Sequence, residues 1–342
     1  MSRAALVGCL AALVVALLGA VVIGPANIPA GHALRAIAHA LPFVGEHVSL
    51  AGIPPGHCDV VLRVRLPRAV LGVVVGAALA AAGAVMQGFF RNPMADPYII
   101  GISPGAALGA VLAIVLDIRL RVLSLGAVPL FAFAGALAVT FVVYALARRG
   151  GRVPVGTLLL TGIAVGALAS AVTSALIIYR QNDMGQAVVW LMGSLNGRGW
   201  GHVAMVAPLA VAGAAIARVY ARELNVMLLG DEPAQYVGVD VERARRALLV
   251  TSAMLAAAAV AACGVIGFVG LIVPHMMRRI VGPDHRRLLP ASLLAGAALV
   301  VLADLAARTV LAPRELPIGI ITAVIGAPFF LYLLWRTRET AF

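Results

Sequence analysis

The sequence is poor in charge and contains no lysine. Only 12% of its 342 residues are charged, and arginine supplies all 26 of the basic side chains. A G-x-x-x-x-G-K-[ST] loop is therefore absent, so the chain cannot hold a nucleotide phosphate through that motif. No nucleophile, base and orienting group occur together at a recognisable spacing. These absences argue against an enzyme, and we expect no catalytic residue.

Cysteine is equally scarce. Cys9 and Cys263 lie inside apolar runs and Cys58 stands alone, so no redox or metal-binding spacing exists. In VPHMMRRIVGPDHRR, the spacing of His275 and His285 fits no usual metal site. We expect no metal ligand and no cofactor bound by this chain.

Apolar residues, in contrast, are abundant. They make up 62% of the chain and its mean hydropathy is +1.03, values far outside those of soluble domains. A membrane-spanning helix needs about 20 mostly apolar residues. Nine such runs are present, at about 4–24, 69–88, 98–116, 123–147, 155–179, 203–220, 247–270, 288–307 and 316–335. The seventh run continues into LIVPHMMRRIV, which predicts a hairpin there. The sequence thus predicts an all-α, polytopic membrane protein with about ten transmembrane helices.

The chain is predicted to form a single integral-membrane domain over residues 1–342, because no polar stretch could fold separately. An outer loop at 25–64 contains HALRAIAHAL, typical of a short amphipathic helix at the lipid bilayer surface. An inner loop covers about 221–246. With ten spans and an inner amino terminus, more arginines lie inside than outside. We expect a multi-pass protein of the cell (inner) membrane with both termini cytoplasmic and, despite a net charge of +12, no nucleic-acid partner.

One polar stretch, QGFFRNPMADPYIIG, interrupts the apolar text at 87–101. Each proline disfavours helical geometry in the residue before it and lacks a backbone donor, so the second span ends near Arg91 and a helix restarts near Tyr98. Exposed backbone cannot face lipid. The break must therefore be a surface turn or lie among protein helices, where Gln87, Asn92 and Asp96 can satisfy its backbone.

Seven blocks of the sequence carry a specific wording. They are RLPRAVLGVVVGAALAAAGAVMQGFFRNPMADPYIIGISPGAALG (65–109), LLLTGIAVGAL (158–168), WLMGSL (190–195), LGDEPAQYVGV (229–239), GVIGFVGLIVPHMMRRIVGPDHRRLLPASLLAGA (264–297), ADLAAR (303–308) and ELPIGIITAVIGAPFFLYLL (315–334). In this order they closely resemble the FecCD-type permease subunits of type II ABC importers for iron chelates, haem and cobalamin. About the first 60 residues lie outside the resemblance.

The resemblance implies a ten-span subunit that works as a dimer with a second copy or a close relative. Two ATP-binding subunits would dock inside, with ATP and Mg bound by those partners. An extracytoplasmic substrate-binding protein would deliver a bulky metal chelate from outside. A ferric siderophore is the first expectation for this cargo, and cobalamin and haem are the alternatives.

The resemblance also implies sites. The loop after the sixth span would contact the ATPase, through Leu229, Gly230, Asp231, Glu232, Ala234, Tyr236, Gly238 and Val239. The alternative is a solvated loop with a helix cap at Asp231. A small unit of this kind can transmit rigid-body motion if it packs against a moving partner.

Arginines near the outer ends of spans would dock the binding protein in this family. Arg65, Arg68 and Arg308 occupy the matching positions, and arginine pairs with carboxylates directionally. Interfacial snorkelling is the alternative. For Arg308 a further alternative is an ion pair with Asp304, four residues earlier on the same helix.

The pathway is expected along the fifth span. Small residues there, including Thr161 and Ser170, suit either pore lining or close helix packing. Relatives place an inner gate where Val155, Gly156 and Thr157 stand.

Two alternatives stay open. His32 and His39 would share a helix face and could in principle contact a haem or metal, but a hydrated interfacial loop is the favoured explanation. An ion-gradient-driven secondary transporter is a different class of function. It would require buried carboxylates near mid-membrane, and the one acidic residue well inside an apolar run is Asp304.

Overall fold

A computed structural model describes residues 2–121, 125–148, 150 and 153–338. Helices account for nearly all regular structure in these residues. The ten apolar helices are α1 (Ser2–Val22), α4 (Leu66–Phe89), α5 (Ile102–Val115), α6 (Ala127–Ala147), α7 (Val155–Tyr179), α9 (Trp200–Val219), α12 (Val241–Cys263), α13 (Val269–Val281), α14 (His285–Thr309) and α15 (Ile318–Arg338). The short helices between them are α2 (Ala30–Ala40), α3 (Pro55–Asp59), α8 (Met184–Leu191), α10 (Ala221–Met227) and α11 (Asp231–Tyr236).

The predicted all-α membrane fold is confirmed. Each predicted apolar run contains one of the ten apolar helices, and the predicted hairpin after the seventh run is the pair α12 and α13. Seven helices in the described residues are long and apolar enough to cross a membrane, while α5 and α15 offer shorter apolar stretches. The chain is an integral membrane protein.

Two predicted boundaries were wrong. The third span does not restart as an α-helix at Tyr98, because Pro97–Ile100 forms a 3₁₀ turn and Gly101 takes a left-handed φ of 87°. The helix begins only at Ile102. The inner loop predicted to extend to 246 ends earlier, because the side chain of Asp240 accepts a hydrogen bond from the backbone N–H of Arg243 and starts α12 at Val241.

Helix α4 lies at the centre of the bundle and packs against α9, α12, α13 and α14. In its apolar 18-residue window, 78% of the residues are buried. Lipid tails are as apolar as leucine, so helices in a membrane associate through close packing of small residues. Gly83 shows this directly, because a Cβ there would overlap the backbone of Gly270 on α13. The small side chains of the alanine-rich helix α4 thus allow its backbone to lie close to those of the neighbouring helices.

The bundle has two ends, which we name by the short helices they carry. The α2 end carries α2 and α3, which a π-helical turn at Val60–Arg65 joins to the start of α4. The α11 end carries α10 and α11, close to the segment that follows α4. The short amphipathic helix expected in the loop at 25–64 is present as α2 and buries Ala33 and Ala36.

The histidines at the α2 end make contacts that helical spacing did not show. The Nδ1 of His32 lies 3.0 Å from Nδ1 of His57 on α3. The Nδ1 of His39 instead contacts the backbone oxygen of Val48 at 2.9 Å. The loop folds back and brings α3 against α2, which helical spacing alone could not predict. No group of three or more metal-binding side chains occurs among the described residues.

Candidate functional site: a central groove and a coupling surface

A shallow groove, which we call the central groove, opens on the face of the bundle that presents α7, α8 and α15, where Ile163 in its lining is 63% exposed. It consists of two adjoining hollows of about 460 and 300 Å³ that share Leu191 and Val265. The other lining residues are Tyr98, Ile99, Ser103, Pro104, Ala107, Gly162, Ile163, Gly166 and Ser170 in the larger hollow and Met192, Gly267, Phe268, Gly319, Ile320 and Ala323 in the smaller. No charged side chain lines the groove within the described residues. It presents only apolar surface, hydroxyl groups and backbone dipoles.

The groove is built where helices break. The segment after α8, the segment between α12 and α13 and the start of α15 meet there and satisfy one another's backbone. Ser194 N–H donates to the oxygen of Cys263 at 2.7 Å, and Ile318 N–H donates to the oxygen of Gly193 at 3.0 Å. The hydroxyl of Tyr98 donates to the oxygen of Ile266 at 2.9 Å. Irregular backbone at membrane depth is stable only when protein satisfies it in this way.

Two glycines make this junction possible. Gly193 and Gly264 have φ values of 71° and 75°, which are readily adopted only by glycine. A Cβ on Gly264 would overlap the backbone oxygen of Trp190, and one on Gly193 would overlap that of Val265. The backbone segments therefore approach as closely as main chain allows.

The stretch 87–101 is the fourth broken element, and the side chains expected to satisfy it do so. Gln87 donates to the oxygen of Leu271 at 2.9 Å. The side-chain oxygens of Asn92 and Asp96 accept from the N–H groups of Met94 and Tyr98 at 2.9 and 2.8 Å. Helix α4 ends at Phe89, and the chain then returns to the bundle beside the groove. The polar residues and prolines that interrupt the apolar sequence form this turn.

The structure places the predicted pathway residues in two groups. Ser170 lines the groove, whereas Thr161 does not. Val155, Gly156 and Thr157 form the first turn of α7 at the α11 end, away from the groove. A gate at those three positions stays a prediction.

The segment Leu229–Val239, which we call the coupling surface, projects from the α11 end. Leu229, Tyr236 and Val237 are 75%, 89% and 65% exposed. Ala234 is fully buried beneath them and fixes α11 to the bundle. Beside the segment lies a hollow of about 380 Å³ whose lining includes Gly238 and Val239. Exposed apolar side chains next to a polar cleft are typical of a protein-binding surface.

Asp231 anchors the coupling surface to two spans. Its carboxylate accepts two hydrogen bonds at 2.8 Å from Arg245 on α12. Arg91, which follows α4, lies 3.6 Å from the same carboxylate. The helix cap considered for Asp231 is not found, because Gly230 occupies that position without a side-chain cap and Asp231 begins the helix.

Asn225 on α10 connects the same region to a third span. Its side-chain oxygen accepts from the backbone N–H and the ring Nδ1 of His285, both at 2.8 Å, and its amide donates to Asp284 at 2.6 Å. Backbone donation from Arg286, and then the Asn225 amide, lower the pKa of the Asp284 carboxyl. The start of α14 is thereby locked to α10. The coupling surface is thus bonded to α12 and to the segment after α4, and the neighbouring α10 is bonded to α14.

The three arginines expected to dock a binding protein are buried at the α2 end. Arg68 donates to Asp304 at 2.9 Å and to Glu315 at 3.0 Å. Arg65 donates to backbone oxygens near the end of α1, including that of Val21 at 2.9 Å. Contacts within the bundle therefore occupy the guanidinium groups that were expected to meet the binding protein. A docking role stays a prediction and requires that they exchange partners.

Arg308 follows the alternative considered for it. It lies 3.7 Å from Asp304, four residues earlier on the same helix, and also donates to the backbone oxygen of Ala20. Both side chains of this pair are about 95% buried. Asp304 therefore accepts from Arg68 and faces Arg308, which joins α1, α4 and α14.

Sequence reasoning missed the residues that hold the coupling surface in place. Arg245, Arg91 and Asn225 carried no motif of their own. Their partners lie 14, 140 and 60 positions away along the chain and meet them only in the folded bundle. One signal was present: Arg91 stands directly after a long apolar helix, where a charged side chain needs a partner.

Comparison with known proteins identifies the family. The FecCD transport family matches residues 10–336. The chain is 51% identical over 313 residues to the cobalamin import system permease protein BtuC of Halobacterium salinarum, covering 90% of this chain and 83% of that protein. It is 46% identical over 280 residues to the hemin transport system permease protein HmuU of Yersinia pestis, covering 81% and 84%.

A solved structure agrees with these relatives. It is described as an inward-facing metal-chelate type ABC transporter, and it superposes with a TM-score of 0.81 at 31% identity over 97% of this chain and 98% of the other. The resemblance seen in the sequence blocks is confirmed over almost the whole length. The chain belongs to the FecCD transport family of ABC importer permeases.

Proposed function

We propose that this chain forms the translocation pathway of an ATP-driven importer that carries a bulky metal chelate from an extracytoplasmic binding protein into the cytoplasm. One observation carries the proposal. An uncharged groove of broken helices lies in the same bundle as an exposed coupling surface that is tied to α4, α12 and α14. Such ties convert motion of the surface into rearrangement of the bundle.

The groove is open on one side, which suits half of a pathway. A second copy of the chain, related by two-fold symmetry, would supply the other half. Two ATP-binding subunits would then sit on the two coupling surfaces, with ATP and Mg held by those subunits. The chain itself would contribute no catalytic group to ATP hydrolysis. Its role would be the conformational change that opens the pathway.

This arrangement fixes the orientation. The coupling surface must face the cytoplasm to meet the ATPase, so the α2 end faces outward toward the binding protein. Both termini are then cytoplasmic. The arginine bias of the loops supports the same orientation.

The proposed cargo is a metal chelate. Because no charged side chain of the described residues lines the groove, the groove would not bind this cargo through charge. Cobalamin is the substrate to test first, because the relative that is 51% identical imports cobalamin. A ferric siderophore, the expectation from the sequence blocks, is the second candidate, and haem is the third, supported by the 46% identical relative.

Uptake in cells tests the cargo directly. Labelled cobalamin and a labelled ferric siderophore are supplied to cells lacking this gene and to the same cells with it restored. Loss and rescue of cobalamin uptake alone would support cobalamin as the cargo. Loss and rescue of iron uptake alone would replace it with the siderophore, and no change in either would contradict a metal-chelate importer of these classes.

A gradient-driven transporter is disfavoured by the state of the buried carboxylate it would need. Asp304 is 3% exposed and bound by Arg68, so it is not available as an ion site. Purification and reconstitution separate the classes. Uptake by the complex that requires ATP and a copurified ATPase supports the ABC mechanism, whereas gradient-dependent uptake by this subunit alone in liposomes contradicts it.

A further inference from the structure

A second groove lies on the outside of the bundle between α6 and α12, at the α11 end. Its volume is about 430 Å³ and its walls are almost entirely apolar. Phe141 and Val250 line it and are 69% and 63% exposed, so the groove opens outward from the bundle. It shares no lining residue with the central groove or the coupling surface.

The length of this outer groove matches one leaflet of a bilayer. Along α6 it reaches from Phe133 to Tyr144, which at about 1.5 Å per residue corresponds to roughly 16 Å. Half of a hydrocarbon core is roughly 15 Å thick. A groove of this length suits an acyl chain lying along the helices.

Positive charge marks one end of the groove. Arg246 lines it beside Tyr144, and Arg148 ends α6 one turn further on. Both arginines are exposed, and neither has an ion-pair partner in the described part of the chain. A phosphate at this level would be attracted by the two guanidinium groups.

An unpaired hydroxyl lies between the charged end and the apolar end. Thr140 lines the groove, is 5% exposed, and its Oγ1 has no hydrogen-bond partner among the described residues. Thr173, Thr251 and Thr309 instead donate to the carbonyl four residues earlier in their helices. A buried hydroxyl without a partner is unfavourable. Its Oγ1 is enclosed in the conformation described, and rotation about χ1 would turn it toward an ester carbonyl of a lipid glycerol in the groove.

We propose that the outer groove binds an anionic phospholipid of the leaflet at the α11 end. Its phosphate contacts Arg246, its glycerol esters reach Thr140, and one acyl chain extends along Leu137 toward Phe133. The three features occur in the order in which a phospholipid presents phosphate, ester and hydrocarbon. This site is separate from the cargo pathway and does not depend on which chelate is carried.

The test is the thermal unfolding midpoint of the purified full-length permease with added phosphatidylglycerol or phosphatidylcholine. We expect phosphatidylglycerol to raise the midpoint more than phosphatidylcholine does. Arg246→Gln should at least halve that difference. Arg243→Gln is the matched control, since it removes the same charge from the same helix at a residue that lines a different hollow, and it should keep the full difference.

Groove filling gives a second, independent variant. Ala253 lines the groove and is 4% exposed, so Ala253→Phe should abolish the response to both lipids and remove the copurifying phospholipid in native mass spectra. An equal response to the two lipids in the unsubstituted protein, or an unchanged preference in Arg246→Gln, would overturn the proposal. A disulfide between copies formed only by Val250→Cys would also overturn it, because a second copy of the chain would then occupy the groove.

Discussion

Ionisable side chains are buried together at the α2 end, in a protein that otherwise avoids charge. Arg68, Asp304 and Arg308 are 7%, 3% and 3% exposed. Two arginines sharing one carboxylate, with Glu315 nearby, form an ion-pair network rather than isolated charges. Such a network adds little when complete but is strongly destabilising when one member is removed.

The first prediction follows from that asymmetry. Asp304→Asn should lower the free energy of unfolding by about 3 kcal/mol, because two buried guanidinium groups lose their shared carboxylate. The thermal midpoint of the purified protein measures this. Arg63→Gln is the control, since its pair with Asp59 is 81% and 61% exposed and should change stability by less than about 1 kcal/mol. Equal effects of the two substitutions would show that the buried network has no special role.

The second prediction concerns the ion pair that holds the coupling surface. Asp231→Asn removes the charge bound by Arg245 and Arg91, so α11 should no longer move rigidly with α4 and α12. We expect a partner ATPase to hydrolyse ATP with uptake reduced several-fold per ATP. Asp117→Asn is the control, because its pair with Arg119 is exposed and lies outside the coupling surface, so the ratio should stay unchanged. A parallel fall of hydrolysis and uptake in Asp231→Asn would indicate lost assembly instead of lost coupling.

At the scale of elements, broken helices carry the site. The segments at 192–196, 264–268 and 315–319 provide the groove with backbone groups already paired to one another. A chelate in the proposed pathway would therefore have to compete with hydrogen bonds that these segments already make. The element that faces these breaks is α7, which presents Gly162, Gly166 and Ser170.

The third prediction tests that face of α7. Ser170→Trp should fill the central groove and abolish uptake while ATP hydrolysis by the complex persists. Val211→Trp is the control, because Val211 is 69% exposed on α9 and does not line the groove. Transport unaffected by Ser170→Trp would place the pathway elsewhere.

Local features of the fold were predictable from the sequence. Length and hydropathy of the apolar runs predicted the ten helices, and the paired prolines predicted the break after Phe89. The hairpin at α12 and α13 followed from a run too long for one helix. These signals are local, so no knowledge of the neighbouring helices was needed.

The partners of polar side chains were not predictable. Arg68 could have been a surface contact or a buried one, and only its neighbour Asp304, 236 residues away, decides between them. His32 likewise meets His57 through a loop whose path periodicity does not define. Contacts of this kind depend on how helices are arranged, which a single sequence does not encode in any short motif.

At the scale of the whole molecule, the chain has one coupling surface and a groove that is open on one side. We predict that the chain purified with its ATPase contains two copies of each subunit, because a closed pathway needs two grooves facing one another. Native mass spectrometry of the complex in lipid nanodiscs measures the composition. A stable, transport-active complex with one copy of this chain would contradict the prediction.

One residue of the break links conformation to stability in an unexpected direction. Arg91 has a φ of 51°, in the left-handed region that is unfavourable for most residues and easier for asparagine. Arg91→Asn should therefore relax the backbone while it weakens the contact with Asp231. Relief of backbone strain would favour folding while the lost contact would weaken coupling, so stability and transport would respond with opposite signs.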